Sequence, residues 1–431
     1  MSPQRAAASP SSDGAGRRAA HLRVIAGGGG RPRLPAERPQ RRDRVSTKTA
    51  ILALVGMLCL VGLVMVLSAS AYTSEQYYGS AWTIFERQVL WMALGAVAMF
   101  ATARLGYEHW RRFRLVLLGG TFALLLAVLV PGLGVSAGGS SRWIGVGLLR
   151  VQPSEVMKLA LAVFAADLLT RRADRTHETR AVVVPMLVVL AAAAVLVLEQ
   201  PDMGTAMVLV CITFTLLYAG GVALRSVVKA LGATAALGIV VGVAQPYRRD
   251  RLLSFINPFA HASGSGYQVV QSLVGLGSGH LFGLGLGGGR EKWGLLPNAH
   301  TDFIFSVIGE ETGLIGSLFV LALFVTLAWF GMRAASRAPD RFGGLLAVAV
   351  TAWITSQAVI NIGAVVGVLP VTGIPLPFVS FGGSSLVITM AAAGILVNVA
   401  GRERRPGAAT SAAAGRALPS RRRAGPTGLP R

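Results

Sequence analysis

The chain has 431 residues, of which 53% are hydrophobic and only 14% charged, and its mean hydropathy is +0.59. A soluble chain carries about 25% charged residues, so the composition excludes a soluble globular protein and, for the middle of the chain, disorder, collagen and coiled coil. The net charge is +22, which raises nucleic acid as a partner until the charges are placed, and two cysteines, Cys59 and Cys211, can build neither a disulfide framework nor a zinc site.

Residues 1–47 are rich in Arg, Ala, Pro, Gly and Ser. They hold too little apolar surface to offset chain entropy, so a disordered basic tail is expected. Residues 402–431 repeat the composition and carry the same expectation. Between them, over 48–401, the apolar runs predict ten membrane-spanning helices, at about 20 residues each. They lie near 49–70, 87–104, 113–131, 153–170, 181–199, 203–221, 225–245, 303–332, 342–369 and 380–401. The first apolar run begins near Ala50 and is too long for a cleaved signal. The fold class is therefore an all-α polytopic membrane protein.

An even number of spans puts both termini on one side, and Lys and Arg decide which. With both termini cytoplasmic, the short inner loops hold Arg104, Arg111, Arg112 and Arg114, then Arg171, Arg172, Arg175 and Arg180, then Arg225 and Lys229, then Arg333, Arg337 and Arg341. The turns near Gln200 and Pro370 hold none. The charge is a positive-inside signature, which argues against nucleic acid and for contact with anionic membrane lipid. Two outer loops depart from it. Loop 132–152 carries Arg142 and Arg150, and the large extracellular loop 246–302, between spans seven and eight, carries Arg248, Arg249, Arg251, Arg290 and Lys292. These cations meet either outer-leaflet phosphates or an anionic substrate.

Ionisable groups at membrane depth cost about 2.5–3.5 kcal/mol each on insertion scales and face a bundle interior or a wet cavity. Glu155, Lys158 and Asp167 fall in the fourth span, Glu199 and Asp202 flank the short turn at Gln200, and Glu310 and Glu311 fall in the eighth span. Glu155 and Lys158 share a helix face. Either they form an internal ion pair or Lys158 reaches an outer cavity and a phosphate. Asp167 pairs with Arg171, four residues on. Asp302 follows Pro297 and His300 at the start of the eighth span. It can cap that helix, and a carboxylate beside cations stays ionised and can accept a proton. Both roles are compatible.

The run Gly283-Leu-Gly285-Leu-Gly287-Gly288-Gly289 lacks the strand a nucleotide loop needs. It suits a backbone that bends and approaches the bilayer surface or a ligand. Gly373-Ile-Pro375-Leu-Pro377-Phe378 followed by Ser380-Phe381-Gly382-Gly383-Ser384-Ser385 reads as a broken start to the last span. Irregular backbone at that depth lines a cavity or is buried in protein; tight helix packing through small residues is the other reading.

Five motifs in order resemble the SEDS family of cell-wall polymerases, the FtsW/RodA group. They are Ser141-Arg142-Trp143-Ile144 with Gln152-Pro153-Ser154-Glu155 and Lys158; Tyr247-Arg248 with Arg251, Phe255 and Pro258; Gly266-Tyr267-Gln268 with Gln271-Ser272; Leu296-Pro297 with His300-Thr301-Asp302-Phe303-Ile304-Phe305 and Glu310-Glu311-Thr312-Gly313; and the Gly373–Ser385 segment. Val66-Leu67-Ser68-Ala69-Ser70 looks more like the division members than the elongation members. Asn298, Thr312 and His280 depart from the family pattern.

The resemblance implies an inverting peptidoglycan glycosyltransferase that polymerises lipid II, with a class B penicillin-binding protein as partner, other divisome proteins around it and a place in the bacterial inner membrane at the septum. It matches Asp302 to the family's catalytic Asp, here the base that takes the acceptor hydroxyl proton. Arg142, Lys158, Arg251 and Lys292 are candidates for the substrate phosphates, and His300 for orienting Asp302 or the sugar. A divalent cation would assist the leaving group, but no ligand cluster demands one. Two rivals are a lipid II flippase, which suits broken helices and buried charges, and a non-catalytic scaffold that recruits the transpeptidase.

Overall fold

The computed structural model describes residues 46–137, 140–147, 149–244, 249, 255–264 and 266–403. The N-terminal tail to residue 45, the C-terminal tail from residue 404, and Arg248 and Arg251 lie outside the described residues.

Among the described residues there are twelve α-helices. Ten fall on the ten expected spans: α1 (Thr47–Tyr78), α2 (Thr83–Arg104), α4 (Arg114–Leu129), α5 (Pro153–Arg171), α6 (Thr179–Glu199), α7 (Met203–Ala219), α8 (Leu224–Ala244), α10 (Ile304–Ser336), α11 (Arg341–Val365) and α12 (Ser384–Gly401). The other two are α3 (Tyr107–Arg112) and α9 (Tyr267–Ser278). Seven of the ten are long and apolar enough to cross a membrane; α4 and α7 are apolar but shorter, and α5 carries Glu155, Lys158, Asp167 and Arg171.

Local chemistry sets the boundaries. Gly79 ends α1 in the left-handed region at φ +69°, its N–H donating to Glu75 O, a conformation that costs a glycine nothing. Pro153 opens α5, where a missing N–H is harmless. Asp202 caps α7 through Thr205 N–H at 3.0 Å, and Asp340 caps α11 through Gly343 N–H at 2.8 Å.

The centre of the bundle is α11, with Trp353 wholly buried; it packs on α5, α7, α10 and α12. The last helix, α12, lies along α2 so closely that a side chain at Gly394 would strike the Met99 carbonyl and the Thr102 hydroxyl. Small residues permit that approach. Large apolar side chains such as Leu60, Val97, Val116 and Ile239 face outward, as lipid contact requires. At one end, Asp167 is fully buried and meets Arg111, Arg114 and Arg171 at 2.6–2.8 Å. The single pair expected with Arg171 is thus a three-arginine cluster tying α3, α4 and α5.

The opposite end carries the longer connections. Loop 132–152 is not irregular: β1 (Val135–Ala137), β2 (Ser140–Val146) and β3 (Leu149–Val151) form an antiparallel sheet in that order. Ser136 pairs with Ser141 and Gly145 with Arg150. Within the large loop, α9 packs on α10 and α11: Ser272 Oγ donates to Val365 O at 2.8 Å, and Ser306 Oγ donates to Ser272 O at 2.9 Å.

The eighth expected span is broken. Gly313, at φ +68° and ψ −166°, splits α10. The freed groups are satisfied by the glycine-rich run. Leu284 and Gly285 N–H donate to Glu310 and Glu311 O at 3.0 Å, and Leu314 and Ile315 N–H donate to His280 and Leu281 O. Side chains at Gly279, Gly283 or Gly313 would strike backbone atoms across this contact. These glycines therefore serve backbone-to-backbone packing against the break. The expectation that they approach the bilayer or a ligand is corrected for that part of the run.

Candidate active site

A cavity of about 840 Å³ opens at the end of the bundle that carries the sheet and the large loop. Its wall is built where helices begin. Gln152 and Glu155 come from the start of α5, Thr205 from α7, Asp302 from the approach to α10, and Ser384 and Ser385 from α12. Free N–H groups and the positive end of the helix dipole favour an anion at such places. Arg87, Arg142 and Arg150 line the same cavity. It thus places cationic side chains and two carboxylates, Glu155 and Asp302, around one volume.

Asp302 reaches the cavity because the chain before α10 does not run straight into the helix. Asn298 sits at φ +60°, which Asn tolerates, and its carbonyl accepts the N–H groups of Thr301 and Phe303 at 3.0 and 3.3 Å. The N-cap position of α10 is Phe303, one residue beyond Asp302. The Asp302 carbonyl accepts from Asn361 Nδ2 at 2.7 Å. Across the cavity floor, Gly373 at φ +71° comes so close that an added Cβ would lie 3.7 Å from Asp302 Oδ2.

Arg142 lines the cavity but holds its own wall: Nε donates to Gln200 O at 2.7 Å and Nη2 to Pro201 O at 2.6 Å. The sheet hairpin is thereby pinned to the α6–α7 turn. Below it, the Asp202 carboxylate, besides capping α7, accepts from Gln152 Nε2 and Ser154 Oγ at 3.0 Å each. These bonds fix the start of α5, and with it Glu155.

Lys158 does not line the cavity. It is fully buried beneath Glu155, with Nζ 2.7 Å from Glu155 Oε2, 2.8 Å from Gln357 Oε1 and over the Trp353 ring. Of the two readings of this residue, the placement favours the internal ion pair and is at odds with phosphate contact. Lys292 is also away from the cavity. Its Nζ meets Glu311 Oε1 at 2.7 Å and Ser68 Oγ at 3.0 Å, which ties the large loop to α1 and α10. Next to it, Glu310 accepts the Arg290 N–H at 2.6 Å and the Glu291 N–H at 3.3 Å. Burial, and then the Glu310 charge, pushes the Glu291 carboxyl up to about 7. Each lysine, a candidate for the phosphates, here satisfies a buried carboxylate, which would otherwise be an uncompensated charge.

His300 lies behind Phe381, with ring centroids 5.9 Å apart, and its carbonyl accepts the Phe381 N–H at 3.0 Å. Burial lowers its imidazole to about 4, so it is neutral at physiological pH and adds no cation beside Asp302. Arg251 lies outside the described residues. Among the described residues no group of three or more His, Cys, Asp or Glu side chains is placed to hold a metal ion.

Sequence reasoning passed over several wall residues. Arg87 and Trp91 of α2 read as the ordinary start of a span, yet both line the cavity. Arg87 Nη1 donates to Tyr78 OH at 3.2 Å. A cation inside the first turn of an apolar run, on the face also occupied by Trp91, was the available signal. Gln357 and Asn361, one turn apart in α11, are both buried; two carboxamides in an apolar helix were another.

Over residues 48–405 the chain matches the FtsW/RodA/SpoVE family, described as cell cycle protein. It is 40% identical over 352 residues to stage V sporulation protein E of Bacillus subtilis, covering 81% of this chain and 96% of that one. It is 42% identical over 366 residues to a Mycobacterium tuberculosis protein named as a peptidoglycan glycosyltransferase, FtsW, covering 85% and 70%. Its fold is similar, with a TM-score of 0.69 and 28% identity, to a chain of a peptidoglycan synthase complex solved to explain the coordination of polymerization and crosslinking; 81% of this chain and 96% of that one are covered.

Proposed function

The chain belongs to the FtsW/RodA/SpoVE family, and on that premise we propose that the cavity around Asp302 is where it polymerises lipid II. The protein is a multi-pass membrane peptidoglycan glycosyltransferase of the septal type. The one observation that carries the site is the meeting of Asp302 with Arg87, Arg142 and Arg150 on a single cavity wall. A glycosyl transfer from a lipid diphosphate needs both kinds of group in one place.

The cavity end of the bundle is the extracytoplasmic face, as the arginine bias of the opposite loops requires. The reaction joins the 4-hydroxyl of an acceptor GlcNAc to C1 of a donor MurNAc. Asp302 takes the hydroxyl proton as the new C–O bond forms. The bond from C1 to the diphosphate breaks on the opposite side, and undecaprenyl diphosphate leaves. Attack opposite the leaving group turns an α-linked donor into a β-1,4 product, so one base suffices and no covalent enzyme intermediate is needed. Negative charge grows on the departing diphosphate. We assign its stabilisation to Arg87, Arg150 and the start of α12 at Ser384, while Arg142 holds the wall in shape. The partner is a class B penicillin-binding protein, with other divisome proteins assembling around the pair at the septum. The similarity to a synthase-complex subunit supports that reading.

The test is a purified protein given labelled lipid II. Glycan ladders are the expected product. A change in lipid accessibility without ladders would make the protein a flippase, and neither result with an intact partner interaction would make it a scaffold.

A further inference from the structure

Helix α11 presents two carboxamides on one face, and both are spent on the irregular segments that frame the cavity. Asn361 Nδ2 donates to Asp302 O at 2.7 Å and to Ile374 O at 2.8 Å. One turn earlier, Gln357 Nε2 donates to Pro375 O at 2.9 Å, while its Oε1 accepts from Lys158 Nζ at 2.8 Å and Trp353 Nε1 at 2.9 Å. Gln357 is fully buried and Asn361 is 2% exposed. Residues 366–383 form no regular structure, with Gly373 and Phe378 at positive φ. Without ladder hydrogen bonds, their carbonyls need partners from side chains.

We infer that Asn361 and Gln357 are positioning residues for the transfer reaction: Asn361 sets where the Asp302 carboxylate stands over the Gly373 floor, and Gln357 sets the height of the Glu155–Lys158 pair beneath the same wall. The inference rests on the reading of Asp302 as the base. Three features separate this role from ordinary packing. A single amide group bridges two adjacent segments that both line the cavity, so their separation is fixed at that point. The Asn361 carboxamide oxygen is buried without a hydrogen-bond partner among the described residues; an apolar residue would avoid that cost. And both groups come from α11, the helix packed between α5, α7, α10 and α12, so the reference frame is the centre of the bundle rather than a loop. A base must lie within about 3 Å of the hydroxyl it deprotonates, and a displacement of about 1 Å can cost on the order of 100-fold in rate.

The experiment compares Asn361→Leu, Asn361→Gln and Gln357→Glu in the full chain, with Asp302→Asn as control, by lipid II polymerisation and thermal unfolding. Asn361→Leu removes both donors while keeping the number and branching of the side-chain heavy atoms. It is expected to lower kcat at least 10-fold with KM for lipid II within twofold and the melting temperature close to wild type. Asn361→Gln, which keeps the donors on a longer stem, is expected to regain part of that loss. Gln357→Glu keeps the acceptor for Lys158 and loses the donor to Pro375, and is expected to lose kcat less than Asn361→Leu does. Wild-type kcat in Asn361→Leu, or kcat losses that simply follow the melting temperature across all three variants, would overturn the inference. If Asn361→Leu fails to fold, Gln357→Glu decides on the same criteria. An active Asp302→Asn would instead remove the base reading itself, a result distinct from wild-type behaviour of the α11 variants.

Discussion

Replacing Lys158 with Met separates the two readings of its ammonium group. Met keeps the length and apolar body of Lys but leaves Glu155 as a buried charge without its partner. The pair stands at 2.7 Å with 0% and 1% of the side chains exposed. Breaking such a pair costs about 3–5 kcal/mol. Glu155 borders the cavity, where water relaxes part of the penalty, so the lower end, about 3 kcal/mol, is expected. Gln357 keeps its bond from Trp353 at 2.9 Å and adds little. For a chain of this size about 2 °C is lost per kcal/mol, which gives a fall of roughly 6 °C in melting temperature. The double variant Glu155→Gln/Lys158→Met replaces the ion pair by neutral groups and is expected to recover most of it. The assay is a thermal unfolding series of wild type, both single variants and the double variant in one detergent or nanodisc, with lipid II kinetics alongside. If Lys158→Met melts like wild type, raises KM for lipid II and is not rescued by Glu155→Gln, Lys158 touches the substrate and the internal-pair account is wrong.

Three further outcomes follow from the geometry. Arg150→Ala is expected to lower polymerisation at least 10-fold with the melting temperature within about 2 °C, since the residue is an exposed part of the cavity wall; matched losses in both would make it structural. Glu291, pushed up to about 7 from 4.5, binds a proton in the folded state that the unfolded chain releases. Wild type should therefore lose stability as pH rises from about 4.5 to 7, by about 1–3 kcal/mol, and Glu291→Gln should remove that slope in melts taken across the range. Gly283→Ala forces a side chain at φ +80° against the Glu311 carbonyl and should cost about 1–3 kcal/mol, read as a lowered melting temperature; an unchanged melt would contradict the backbone contact at the α10 break.

What the sequence disclosed and what it hid divide along physical lines. All ten apolar segments became helices because hydrocarbon leaves the backbone no other partner than itself, so length and composition suffice. The Glu155–Lys158 contact was legible from their i,i+3 spacing. Its third member, Gln357, lies 199 residues away, and no local pattern reports such a distance. The sheet over 135–151 was hidden because two of its strands, Val135–Ala137 and Leu149–Val151, are three residues long, too short to show an alternation. The α10 break was hidden because apolar residues continue on both sides of Glu310-Glu311-Thr312-Gly313, and only the partner segment 280–285 makes the break tolerable. Asp302 was legible as a carboxylate in an expensive place, while the frame that holds it, Asn361 and Gly373, was not. Lys292 misled for a related reason: a cation in an outer loop looks available, and its buried partner Glu311 came from the next helix.

The central claim is that Asp302 is the general base of lipid II polymerisation, and the most direct measurement is glycan synthesis by purified Asp302→Asn beside wild type. The substitution keeps the size of the side chain and leaves the Asp302 carbonyl free to accept from Asn361, but it removes the proton acceptor. The account predicts a variant that inserts, melts and binds lipid II like wild type and yields no glycan ladder. A ladder of wild-type length and rate from that variant would contradict it.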